Sequence, residues 1–164
     1  MTLPSTISTE RLTLRPFEVR DLEGYVAYYT SDRTGGVGGP KPRYLAVKQF
    51  MAIVGQWVLR GYGRYAIDLD GTAIGHVGVM HYDTTDPIEL TWTLWDGAYE
   101  GNGYASEAAR AVLDTWSGPD LSVHVMPDNT RSLGVAKRLG FVHDETVKGP
   151  HYAPEMMTFG LGAV

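Results

Sequence analysis

"ELTWTLWDGAYEGNGYASEAARAVLDTWSGPDLSVHVMPDNTRSLGVAKRLGF", residues 89–141, reads as strand, glycine-rich turn, helix, strand and helix. The turn Gly101-Asn102-Gly103-Tyr104-Ala105-Ser106 opens directly into an apolar-striped helix. Two glycines at such a junction let the backbone turn tightly and leave N–H groups pointing outward at the positive end of a helix. That is a cradle for an anion, best suited to a phosphate or pyrophosphate. The dinucleotide fingerprint would place a third glycine where Ser106 stands, and a nucleotide-triphosphate loop would need Gly-Lys-Ser/Thr, which is absent. The turn also lies mid-chain rather than after a first strand, unlike a Rossmann unit.

Outward from this stretch the pattern stays mixed. Arg11–Phe17 alternates as a first strand, Leu22 to Tyr29 has helical spacing, and Val47 to Val58 forms a second amphipathic helix stopped near Gly61. Gly35 to Pro40 reads as a loop without regular structure. Tyr62–Asp68 and Ala73–Tyr82 are two strands joined at Asp70-Gly71, a hairpin signal. Ile88–Trp95 is the fourth strand, with Glu89, Thr91 and Thr93 on one face and Leu90, Trp92 and Leu94 on the other. A helix from Ala105 to Trp116, a fifth strand over Leu121–Val125, a helix capped at Asn129 or Thr130, and strands over 141–146 and 155–161 complete the chain. No linker or repeat divides residues 1–164, which read as one α+β domain.

Composition excludes several classes. The 164 residues contain no cysteine, so there is no disulfide framework, thiolate metal site or thiol nucleophile. A formal net charge of −5 argues against a nucleic-acid partner and leaves room for a cationic acceptor such as an amine. No apolar run reaches the roughly 20 residues that span a bilayer, and the N-terminal segment lacks a signal-peptide pattern. The expectation is a cytoplasmic protein without a membrane partner. The five histidines show no metal-ligand spacing, so no metal site is expected; His76 and His81 fall where they could line a cleft.

Gly101-Asn102-Gly103-Tyr104-Ala105, the helix start Ser106-Glu107-Ala108-Ala109-Arg110, Asn129-Thr130-Arg131-Ser132 and Leu139-Gly140-Phe141 stand in one order and spacing. In these elements the sequence resembles the GNAT superfamily of acyl-CoA-dependent N-acyltransferases. Residues 9–17 (TERLTLRPF), 38–40 (GGP), 57–67 (WVLRGYGRYAI) and 73–79 (AIGHVGV) look like the branch of ribosomal-protein N-terminal acetyltransferases. The resemblance spans roughly residues 9 to 161. It implies a GNAT fold: a mostly antiparallel sheet of about seven strands, the fourth and fifth splayed apart, flanked by about four helices. It also implies acetyl-CoA as cosubstrate, with no metal, and direct transfer to a primary amine, either a protein N-terminus or a small molecule, by a monomer or homodimer.

For the cofactor, the resemblance implies pyrophosphate contacts from Gly101, Asn102, Gly103, Tyr104, Ala105 and Ser106. It assigns the strand edge of Thr93, Leu94 and Trp95 to the amide-rich pantetheine arm, which could pair there as a peptide would. Asn129 would reach the pantetheine, or else simply cap its helix. Glu89 is the candidate base for the amine, with a solvated strand carboxylate as the plain alternative. Many relatives place a tyrosine acid seven residues after the asparagine; that position here is Ala136, and Ser132 is the substitute. Glu100 departs from the Arg or Gln common in the family. Pointing inward, its charge should weaken cofactor binding; pointing outward, it should matter little. The rival reading is a catalytically inactive acyl-CoA-binding sensor.

Overall fold

Strand alternation assigns each side of the sheet a different neighbour, and the computed structural model, which describes residues 3–162, follows that assignment. The strands are β1 (Ile7–Ser8), β2 (Thr13–Arg15), β3 (Arg64–Leu69), β4 (Thr72–Met80), β5 (Glu89–Leu94), β6 (Val123–Val125), β7 (Phe141–His143) and β8 (Met157–Leu161). The helices are α1 (Leu22–Tyr29), α2 (Arg43–Arg60), α3 (Tyr104–Thr115) and α4 (Thr130–Leu139). β1 to β5 form one antiparallel sheet in chain order, and β6, β8 and β7 form a second. The two meet at one parallel bridge: Leu90 N–H donates to Ser122 O, and Ser122 N–H to Ile88 O, both at 2.9 Å. Beyond Glu89 and Ser122 no further β5–β6 pairing exists among the described residues, and the strands diverge.

One face of the large sheet, with Tyr65, Ile67, Val77, Val79 and Leu90, packs on Ala108, Ala109 and Val112 of α3. Alanines at the contact let that helix lie close to the strands. On the other face Tyr25, Tyr29, Phe50 and Ile53 of α1 and α2 pack with Trp95. Gly78, at φ 146°, brings β3 and β4 together so closely that a Cβ there would sit 2.3 Å from the Gly63 carbonyl oxygen. Asp70 (φ 52°) and Gly71 (φ 88°) make the tight hairpin turn that their sequence predicts.

Residues 35–37 differ from the sequence expectation, whereas 38–40 form the expected loop. Asp32–Val37 is a 3₁₀ helix: Ser31 caps it by accepting from Arg33 N–H, Thr34 is buried at its centre, and Gly38 closes it at φ 94°. Capping and burial of one threonine outweigh the glycines' freedom. The first strand is also shorter than its alternation suggested. No helix among the described residues is long and apolar enough to cross a membrane.

β2, β3 and α1 are tied by a buried charge cluster. Arg15 donates to both Asp21 oxygens, at 2.8 and 3.0 Å, and to Asp68 at 2.7 Å. Burial alone would raise the Asp21 carboxyl, but the Arg15 hydrogen bonds and the Glu18 N–H overcome it and the net shift is downward. A carboxylate depressed in the folded state stabilises above its unfolded pKa, near 4, and that contribution disappears as pH falls through the folded value. Asp21→Asn is therefore expected to cost about 3 kcal/mol at pH 7, as for breaking a buried pair, with the penalty shrinking below about pH 4. Denaturant unfolding of both proteins across pH 3–7 measures this.

Candidate functional site

The divergence of β5 and β6 opens a cleft of about 1250 Å³, walled by those strands, the first turns of α3 and α4, the 32–38 segment and the loop between β7 and β8. Its geometry follows from which backbone groups lack a partner. Since Ile88 O and Leu90 N–H face β6, the same alternation turns the amides of Trp92 and Leu94 into the gap. Thr93 and Trp95 turn theirs toward β4 instead. Trp95 N–H donates to Ile74 O at 2.9 Å, its carbonyl accepts from Arg33 Nε at 3.2 Å, and its indole is buried against α1 and α2. Of the expected edge residues only Leu94 therefore offers free main-chain groups; Trp95 is removed from the edge by register, and Trp92 takes its place. Thr93 contributes a side chain to the cleft wall.

At the cleft's other end Gly101 and Gly103 adopt φ of 78° and 81°, and Gly103 begins α3 without any side-chain cap. The N–H groups of the first turn have no intrahelical acceptor. Gly101, Gly103, Tyr104, Ala105 and Ser106 line the cleft. Asn102 does not: its amide folds back on the carbonyls of Tyr99 and Glu100, and its own carbonyl accepts from Arg11 at 3.0 Å. Its side chain serves the turn. Ser106 Oγ accepts from Arg138 Nε at 3.0 Å.

Glu100 lies beside this cradle but carries no free charge into it. Arg33 Nη2 binds one carboxylate oxygen at 2.6 Å and Arg131 the other. The carboxylate is thus neutralised by two cations from separate elements.

Asn129 is on the cleft wall and also caps α4, its Oδ1 accepting from Ser132 N–H at 3.1 Å. Ser132 lines the cleft too, with no hydrogen bond to its hydroxyl among the described residues. Glu89 stands at the fork of the two sheets and is 7% exposed. Its Oε2 accepts from the Tyr152 hydroxyl at 2.8 Å and lies 3.0 Å from His124 Nδ1, off the line of a good hydrogen bond. Oε1 makes no hydrogen bond among the described residues. Burial and the neighbouring Glu89 carboxylate push the Tyr152 phenol above its ordinary value, so it remains a donor.

Sequence reasoning missed Tyr152 and His124, which meet Glu89 only through the fold. It also set His76 and His81 together, and the structure separates them. His76 is sealed in the interior, where burial and Arg64 hold it well below its ordinary value, and its Nδ1 accepts from Trp95 Nε1 at 3.0 Å. His81 reaches the cleft wall. No cluster of metal-binding side chains exists among the described residues.

Residues 11–142 match the family model of the acetyltransferase (GNAT) domain. An uncharacterized N-acetyltransferase of Bacillus subtilis, YnaD, is 28% identical over 141 residues, covering 82% of this chain and 81% of that one. The crystal structure of an acetyltransferase from Agrobacterium tumefaciens superposes with a TM-score of 0.88 at 36% identity, over 99% of this chain and 96% of the other. RimJ of Mycobacterium smegmatis, solved in complex with CoA disulfide, shares the fold at a TM-score of 0.73 and 18% identity, over 98% of this chain and 90% of that one.

A side chain at position 103 would have to adopt the left-handed φ of 81° and would meet Arg11 Nη2 at 3.4 Å. Gly103→Glu, which adds bulk and a negative charge at the bare helix end, is expected to weaken coenzyme A binding by roughly 100-fold or more in calorimetry. Unchanged affinity would remove the turn from the site.

Proposed function

The chain belongs to the acetyltransferase (GNAT) family, and from that premise we propose that it transfers the acetyl group of acetyl-CoA directly to a primary amine. The acceptor is a protein N-terminus or a small-molecule amine. The sequence has no cysteine, so transfer proceeds within a ternary complex rather than through an acylated thiol.

The observation that carries the reading is the joint placement of a bare helix N-terminus, an unpaired strand edge and a buried carboxylate along one cleft. The turn at Gly101–Ser106 fits a pyrophosphate through its N–H groups, and the Trp92 and Leu94 amides fit the pantetheine arm. Bound acetyl-CoA supplies an activated thioester. A backbone N–H of β5 polarises its carbonyl in a site partly shielded from water. Glu89 takes a proton from the acceptor's ammonium through Oε1, freeing the amine lone pair to attack the thioester carbonyl, while Tyr152 holds Oε2 and fixes the carboxylate's orientation. Ser132 is the group that returns a proton to the departing thiolate. It lines the cleft beside Asn129, and its hydroxyl is free to rotate.

Release of free thiol from acetyl-CoA in the presence of an amine panel tests the activity. Glu89→Gln is expected to lower kcat/KM by roughly 10²- to 10⁴-fold, the range for loss of a general base, with coenzyme A affinity nearly unchanged. Tyr152→Phe, which keeps the base and loses its orienting bond, is expected to lose about 10-fold. If Glu89→Gln turns over as fast as the parent, Glu89 is not the base.

A further inference from the structure

Two arginines are buried among the described residues, and a carboxylate pairs with only one of them. Arg15 binds Asp21 and Asp68. Arg64 is 3% exposed, opens β3 and reaches the cleft wall, yet no carboxylate lies within 4.0 Å of it among the described residues. Its Nη2 donates to the Tyr82 hydroxyl, and its Nε is buried with no hydrogen-bond partner. Gln49 Oε1, on the same wall, is also without a partner. A buried guanidinium with unfilled donors is costly in a folded protein, and a bound anion is the direct way to offset it. The fork of guanidinium donors matches an oxyanion.

The carboxylate whose charge acts on Arg64 is Glu89. Arg64 pairs with Gly78 of β4, Gly78 pairs with Thr91 of β5, and Glu89 follows two residues along, on the same sheet face as Thr91. The two residues are thus two strand spacings apart across the sheet and two residues apart along it, about 12 Å at the backbone, and the position between Arg64 and Thr91 contributes no side chain. We propose that the amine accepted here also carries an oxyanion, a carboxylate in the first instance, which Arg64 grips while Glu89 receives the ammonium. This rests on the acetyl-transfer reading and narrows its acceptor to a small amino acid-like molecule. A protein N-terminus carries a neutral peptide group next to its amine, which leaves Arg64 unanswered. The loop between β7 and β8 also crosses this end of the cleft, tied by Tyr152 to Glu89 and by His151 to Asp86 at 3.0 Å.

The test pairs each acid with its neutral amide: glycine, β-alanine, 4-aminobutyrate and the L-amino acids against their amides, with aminomethylphosphonate and short peptides as further arms. Thiol release is expected to favour acids over amides by at least 10-fold. Arg64→Met should abolish that preference by lowering kcat/KM for the acids alone, with amide turnover and coenzyme A affinity retained; Arg64→Lys should lie between. Preference for the phosphonate keeps the oxyanion site and changes only the acid. Equal use of acids and amides by the parent enzyme, preference for peptides, or an equal loss on both in a folded Arg64→Met protein overturns the proposal. If Arg64→Met does not fold, the parent and Arg64→Lys comparison decides. Calorimetry of N-acetylglycine and N-acetylglycinamide on the coenzyme A-loaded protein separates the two readings. Stronger binding of the acid, reduced in Arg64→Lys and lost in Arg64→Met, upholds the Arg64 site even where no amine is turned over. No difference between the two in binding, together with no turnover, sinks it.

Discussion

The whole site depends on where two strands stop pairing. β5 and β6 share one bridge at Glu89 and Ser122 and then part. Main-chain amides that would have joined a continuous sheet are left facing a cleft, and buried main-chain groups without partners are rare. A bound molecule with amides of its own satisfies them. The same parting places Glu89 at the fork, buried enough to be shielded from bulk water yet open on one oxygen. The proposed cofactor groove and the proposed base are consequences of a single topological event.

Charge is handled differently at the two ends of the cleft. At the glycine turn, Glu100 would repel a diphosphate, but Arg33 and Arg131 already hold it. A phosphate arriving there competes with Glu100 for cations that are in place, so binding exchanges one ion pair for another. At the far end Arg64 has no such internal partner. One end is balanced within the protein; at the other the proposed acceptor supplies the missing charge.

Much of this was legible in the residues. The period of 2 in Glu89–Trp95 fixed which side chains share Glu89's face, and the apolar spacing of the helix after Gly103 fixed what α3 buries. The glycines at 101 and 103 announced their left-handed backbone, and the resemblance supplied the fold. What remained hidden was non-local. Tyr152 reaches Glu89 across 63 residues, and His124 does so from another sheet. Arg33 and Arg131 answer Glu100 from two different elements. Arg64 read as an ordinary strand start, because a missing counter-ion can be seen only once every neighbour is in place. Trp95 shows the limit of local register: the resemblance placed it on the free edge with Thr93 and Leu94, but which side of the strand has a partner is decided by the sheet.

The segment holding His151 and Tyr152 arches over the reaction chamber on two slender tethers, one of them a phenol and the other a largely solvent-facing imidazole. A guest wide enough to unhook Tyr152 from Glu89 would also loosen the carboxylate proposed to deprotonate it. On that proposal bulk is penalised at the chemical step itself, in addition to any difficulty of entry, so that size is read out as reactivity.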